Sequence, residues 1–193
     1  GGYATGTEDQ RRFDFESMVK DGNIGSFLNI VDLDYQATLQ KIAVEESRLG
    51  IPLLYAHDVI HGYRTIFPVP LAEAASWDLE AIEQGARVAA IEASASGLHW
   101  TFAPMVDICR DPRWGRIVEG AGEDPYYAAA VAQARVRGFQ GDDLSRHDTI
   151  AACAKHLAGY GGAEGGRDYN TVDISVRLMR EVYLVPFQAA VEE

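Results

Sequence analysis

What most constrains this chain is a repeated alternation. Four short, almost wholly apolar runs, "IGSFLNI" (24–30), "IPLLYAHD" (51–58), "LHWTFAPMVDI" (98–108) and "TIAACAKH" (149–156), are separated by stretches of helical periodicity. A strand without polar alternation is buried on both faces, the condition of a parallel sheet covered by helices. The intervening stretches supply the helices. "YQATLQKIAVEESRLG" (35–50) puts Leu39, Ile42, Ala43 and Leu49 on one face, with Gly50 as its stop. "LEAIEQGARVAAIEASASG" (79–97) follows a cap at Ser76 or Asp78, and its packing face is Ile82, Ala86, Ala89, Ala90 and Ala93. In "EDPYYAAAVAQARVRG" (123–138), Asp124 is a natural N-cap and Pro125 the first helical residue. "SVRLMREVYLVPFQAAVEE" (175–193) holds Pro186, which kinks or ends a helix.

The fold class is therefore α/β. A closed (β/α)8 barrel and an open doubly wound sheet both satisfy the alternation. The polar, motif-like residues follow the strand ends, in "HDVIHG", "DICRDPRWGR" and "KHLAGYGG", and function gathered behind successive strands belongs to the C-terminal rim of a barrel. A complete barrel takes about 250 residues, whereas 193 residues hold four or five β/α units and stop inside a helix. The expectation is an incomplete (β/α)8 TIM-type barrel, one partial domain over 1–193, truncated at its C-terminal side. "GGYATGTEDQ" reads as a processed or cut start, and no repeat or Pro/Ser-rich linker divides the chain.

Charge narrows the function. Seventeen Lys and Arg face 29 Asp and Glu, a formal net charge of −12, which argues against a nucleic-acid surface and against attraction to anionic membranes. No apolar run is long enough to span a bilayer, and no basic stretch leads into an apolar one as in a secretory signal. Cys109 and Cys153 have no metal or redox spacing and read as buried free thiols. Against this acidic background, "CRDPRWGR" (109–116) packs three arginines around one tryptophan. Asp111 and Pro112 suggest a turn. Arg110 and Arg113 have Asp107, Asp111, Glu119, Glu123 and Asp124 within reach and read as ion-pair scaffolding. Trp114 is either core or a ring platform, and Gly115 leaves room for a chain or ligand beside Arg116.

Two further stretches carry chemistry. In "YAHDVIHGYR" (55–64), His57 and His61 stand four apart, but the segment leaves a strand and runs into Gly62, so the helical zinc geometry is not available. Asp58, at a strand's carboxyl end, is the better candidate, with a loop cap as its alternative reading. In "KHLAGYGGAEGG" (155–166), neighbouring Lys155 and His156 face opposite sides of a regular strand. Both reach one ligand only through a bulge or an unusual peptide; otherwise one of them is core. The glycines here do not make a dinucleotide fingerprint, since Glu164 stands where the third glycine belongs, and no cofactor is expected.

Taken in order, "SRLGIPLLYAHDVIHGYRTIFPVPLA" (47–72), "TFAPMVDICRDPRWGRIVEGAGED" (101–124), "AACAKHLAGYG" (151–161) and "EGGRDYNTVDIS" (164–175) resemble glycoside hydrolase family 3, in particular its bacterial periplasmic β-glucosidases. The resemblance implies a retaining, exo-acting β-glucosidase acting on terminal β-D-glucosyl residues, and a periplasmic or secreted location. It assigns the grip on the sugar in the −1 subsite to Asp58, Arg64, Arg116, Lys155 and His156, with no metal. It also implies that further domains of the same parent chain are partners.

One departure is large. Retaining hydrolysis needs two carboxylates about 5–5.5 Å apart. The family's nucleophile lies in a Ser-Asp-Trp-like motif on a later strand and its acid/base further on, so both are expected beyond Glu193. A β-xylosidase of the same family is an alternative, as is a sugar-binding module without catalysis. A β-N-acetylglucosaminidase fits less well, because Tyr160 stands where those enzymes carry a histidine. The purified 193-residue chain is predicted to be inactive; measurable release of p-nitrophenol from p-nitrophenyl-β-glucoside overturns this.

Overall fold

The computed structural model describes residues 14–193, so "GGYATGTEDQ" lies outside the described residues. Three parallel strands form the sheet: β1 (Ser26–Leu28), β2 (Leu54–His57) and β3 (Trp100–Thr101), in that spatial order. Phe27 pairs with Tyr55 and Ala56 with Trp100. The fourth apolar run continues the sheet without forming a regular strand, through single bridges of Trp100 to Ala151 and Met105 to Lys155. The α/β reading is thus the architecture observed, with strands shorter than expected. In the run 98–108, Pro104 has no N–H to give the ladder, and the Ala103–Pro104 peptide is cis. Pairing past it is carried by scattered bonds, Cys153 N–H to Ala103 O at 2.8 Å and Lys155 N–H to Pro104 O at 3.1 Å.

The helices are α1 (Phe15–Lys20), α2 (Leu33–Lys41), α3 (Pro70–Ala74), α4 (Leu79–Ser94), α5 (Pro125–Gln140), α6 (Val176–Leu178) and α7 (Val185–Glu192). Four of them start at an aspartate. The carboxylates of Asp14, Asp32, Asp78 and Asp124 each accept from the backbone N–H three residues on, satisfying an amide that the helix leaves free. Asp78, not Ser76, is the cap of α4, and Pro125 opens α5 as expected.

Two helices depart from their expected course. α2 widens into a π-helical turn over Ile42–Glu46, and the Ser47 hydroxyl then accepts from Leu49 and Gly50 N–H. That turn swings Leu49 off the packing face and leaves it exposed, while Leu39, Ile42 and Ala43 remain buried. At the other end, a π-helical turn over Met179–Tyr183 stops at Leu184, and Pro186 sits in the first turn of α7. The proline ends one helix and opens the next.

The core lies between the sheet and α4. Phe15 meets Phe27 edge-on at 5.2 Å, Phe27 stacks on Tyr55 at 6.0 Å, and Ala86, Ala89, Ala90 and Ala93 close over them. Small residues let α4 and α5 approach closely. A Cβ on Gly138 would stand 2.4 Å from the Glu83 carbonyl oxygen and 2.6 Å from the Ala86 Cβ. Cys109 is buried and Cys153 half-buried, both as free thiols.

One buried charge pair links this helix layer to the sheet's carboxyl end. Arg135 on α5 forms an ion pair with Glu73 on α3, and its second nitrogen donates to Ile60 O at 2.7 Å, in the loop behind Asp58. Burial lowers the proton affinity of the guanidinium and raises that of the carboxyl, and each partner opposes the shift of the other. Removing one member leaves an uncompensated buried charge. Arg135→Met is predicted to cost about 3–5 kcal/mol of unfolding free energy by urea titration, and adding Glu73→Leu is predicted to recover most of it.

Candidate functional site

At the carboxyl ends of the strands lies a cavity of about 660 Å³, whose lining includes Asp58, Arg116, Lys155, His156, Tyr160 and Tyr169. Each sits at or beyond the end of a strand or a strand-like run: Asp58 follows β2, Arg116 lies in a short helical turn after β3, Lys155 and His156 end the run 149–156, and Tyr160 and Tyr169 follow it. Lys155 and His156 are joined by a cis peptide, and both line the cavity, so neither is a core residue. Of the five residues singled out in the sequence, four meet here. Arg64 does not. It is exposed, with its guanidinium over the Tyr63 ring at 5.4 Å, while its backbone N–H and that of Thr65 are held by Glu92.

The charges alternate along the wall. Lys155 Nζ is 3.3 Å from Asp58 Oδ1 and 3.8 Å from Glu119 Oε2, and Glu119 forms a two-point pair with Arg116 at 2.6 and 2.9 Å. The Arg116 guanidinium holds the Glu119 carboxyl below its ordinary range, with Lys155 adding to the effect, and Glu119 in turn raises the guanidinium. Two of the five guanidinium N–H groups are used in this pair, so Arg116 keeps donors for the cavity.

Arg116 also lies 5.4 Å over the Tyr160 ring. The Tyr160 hydroxyl bonds to Asp168, which accepts from Trp114 Nε1 at 2.9 Å. Burial, followed by the Asp168 carboxylate, pushes the Tyr160 phenol up to about 12. Trp114 is buried among Met105, Cys109, Ile117 and Tyr160 and is therefore core. Gly161 packs under this floor, where a Cβ would fall 2.2 Å from Ile108 O. Gly161 thus serves close packing.

The acids near "CRDPRWGR" are shared out differently from the sequence expectation. Arg113 pairs with Asp111, whose carboxylate also takes the Arg113 N–H in a tight turn. Arg110 makes no ion pair among the described residues and lies over the Tyr183 ring at 5.9 Å. Asp107 is fully buried and turned the other way, its Oδ2 accepting from His156 N–H at 2.9 Å and lying 2.8 Å from His156 Nδ1. Glu119 and Asp107 are the site residues that sequence reasoning placed among the arginine scaffold. For Asp107 the signal was an acid inside an otherwise apolar run, "MVDIC". The two histidines of the loop do not join a ligand set: His61 Nδ1 is 2.9 Å from Phe67 O, and no group of three His, Cys, Asp or Glu suited to a metal occurs among the described residues.

Comparison with known proteins gives the site a context. The profile described as "Glycosyl hydrolase family 3 N terminal domain" matches residues 7–193. The chain is 42% identical over 175 residues to the periplasmic β-glucosidase of Salmonella typhimurium, covering 91% of this chain and 23% of that protein. It is 34% identical over 186 residues to a β-xylosidase of Formosa agariphila, covering 90% and 26%. The crystal structure of a β-glucosidase from Listeria innocua superposes with a TM-score of 0.85 at 46% identity, covering 88% of this chain and 24% of that one. That enzyme has also been solved in complex with glucose. The chain thus spans about a quarter of the length of the proteins it matches.

The Asp111–Arg113 pair has a measurable consequence. Hydrogen bonding to Arg113 depresses the Asp111 carboxyl from 3.8 to about 2. A depressed folded-state value means that the pair's contribution is complete above the unfolded value and fades as pH falls from there through about 2. The Asp111 carboxyl carbon is predicted to titrate near 2 by NMR, and Arg113→Ala to move its midpoint back towards 3.8.

Proposed function

The chain belongs to glycosyl hydrolase family 3, and from that membership we propose that it forms the sugar-holding wall of a retaining, exo-acting β-glucosidase. Asp58, Arg116, Lys155 and His156 hold the hydroxyls of a terminal β-D-glucosyl residue. The observation that carries this reading is their convergence on one cavity, where the Asp58 carboxylate lies beside the Lys155 ammonium and Arg116 and His156 share the lining. A sugar hydroxyl both donates and accepts, so a wall offering carboxylate and ammonium side by side satisfies both functions of neighbouring hydroxyls. Such contacts fix the ring for attack at the anomeric carbon. Arg64 lies outside the cavity, and the proposal rests on the other four.

The attack itself needs a nucleophile and an acid/base about 5–5.5 Å apart. Asp58 on the cavity lining pairs with Lys155, which favours a holding role for it, and Glu119 pairs with Arg116, which favours a role in placing that guanidinium. We assign the two reacting carboxylates to a further part of the same protein, with which this chain would complete the site. We extend to this protein a periplasmic or secreted location, which the name of the Salmonella relative supports. The β-xylosidase relative supports a second reading, in which the sugar lacks the hydroxymethyl group.

Calorimetry tests the proposal. Glucose is predicted to bind, more tightly than xylose if the first reading holds. Asp58→Ala removes a charge-assisted contact and is predicted to weaken glucose about 10- to 100-fold. Arg113→Ala is predicted to lower thermal stability with little change in affinity. Equal losses of affinity for the two variants refute the assignment.

A further inference from the structure

We propose that Asp107 is the positioning residue for His156, holding its imidazole as the Nδ1–H tautomer so that Nε2 is left to accept a hydrogen bond from the ligand. The inference deepens the sugar-site reading and rests on it for the identity of that ligand. Its geometry begins in the backbone. Segments 103–106 and 153–155 run side by side, with Cys153 N–H bonded to Ala103 O, Lys155 N–H to Pro104 O, and Val106 N–H to Lys155 O. At the next amide, His156 N–H, the backbone pairing stops and the Asp107 side chain takes over, its Oδ2 accepting at 2.9 Å. The same oxygen is 2.8 Å from His156 Nδ1. One carboxylate oxygen thus holds the residue by its main chain and its ring together.

The burial of Asp107 gives the arrangement a direction. Its side chain has no exposed surface, whereas that of His156 is 34% exposed and lines the cavity. Asp107 Oδ1 is also buried and has no hydrogen-bond partner among the described residues. Among the described residues, every hydrogen bond that this carboxylate makes therefore goes to His156. An ionised carboxylate can only accept, so the proton on Nδ1 belongs to the imidazole, and in the neutral ring Nε2 then carries the lone pair. The T-shaped contact of the ring with Tyr160, 5.0 Å between centroids, supports the same orientation from the other side. The cavity then offers acceptors at Asp58 and His156 Nε2 and donors at Lys155 and Arg116, so donors and acceptors are balanced around the ligand.

The test reads the tautomer directly. In the protein labelled with ¹⁵N at histidine, in mildly alkaline buffer, long-range ring correlations identify which nitrogen is protonated; His156→Gln assigns the signal. The expected spectrum has His156 protonated at Nδ1 and bare at Nε2. Asp107→Asn retains a side-chain oxygen acceptor and should keep this tautomer. Asp107→Ala should lose it and weaken glucose about tenfold, with Asp107→Asn restoring most of the affinity. A wild-type ring protonated at Nε2, or averaging between tautomers, overturns the inference, and so does an Asp107→Ala ring unchanged from wild type. If Asp107→Ala does not fold, the wild-type and Asp107→Asn spectra decide. Absence of glucose binding by a wild-type protein with the expected tautomer counts against the sugar-site reading alone.

Discussion

The ammonium of Lys155 lies between the carboxylates of Asp58 and Glu119, and three separate loops converge on that one cation. Its side chain is only 12% exposed, and a charge so far removed from water needs partners. The loops after β2 and β3 therefore cannot move apart without leaving it unpaired. Glu119 extends the constraint to Arg116, Arg116 to the Tyr160 ring, and Tyr160 to the Asp168–Trp114 pair. A charge that cannot be left bare thus organises a polar wall from residues as far apart in the chain as 58 and 168.

The helix layer supports that wall from behind. Arg135 reaches from α5 past Glu73 to the Ile60 carbonyl, two residues beyond Asp58. Thr101 does the same from the sheet, its hydroxyl accepting from Val59 N–H at 3.0 Å. The loop that carries Asp58 is therefore gripped by its backbone from the helix layer and from the sheet. The side chain that faces the cavity owes its position to groups that never touch the cavity.

How much of this was legible in the sequence depends on the range of the interaction involved. The Asp124 cap, the opening proline of α5 and the break at Pro186 are local signals, read within four residues, and the structure has them where the sequence put them, while for the cap of α4 the sequence leaves Ser76 and Asp78 open and the structure has Asp78. The apolar runs located the sheet, but their ends were set by Pro104 and by pairing geometry, so the run 98–108 keeps only Trp100–Thr101 as strand. That Lys155 and His156 need an irregular backbone to share a ligand was legible, because neighbours on a regular strand face opposite sides; that both line the cavity was not. The partners of the acids could not. Asp107 and Arg110 are close in sequence, yet one turns inward to His156 and the other lies over Tyr183. Proximity along the chain says nothing about which side of a segment a charge faces once the segment is buried. Arg64 shows the converse: a motif placed it beside Asp58, while the turn through Gly62 carries it out to the Glu92 clamp.

The alternating wall has one more consequence, for selection among ligands. Asp58 and Glu119 contribute two negative charges, Lys155 and Arg116 two positive ones, and the sum over the row is zero. In a chain of net charge −12, this row of four adds no net charge of its own, while Asp107 and Asp168 beside it are further carboxylates. What it presents is a sequence of steep local dipoles, strong at hydrogen-bonding distance and cancelling beyond it. A ligand carrying a net charge gains nothing from approaching such a surface and must still shed its hydration to enter. A neutral polyhydroxylated ring finds both signs within reach of adjacent oxygens. Its attachment should therefore vary little with ionic strength, because a ligand without net charge feels no long-range attraction for salt to screen.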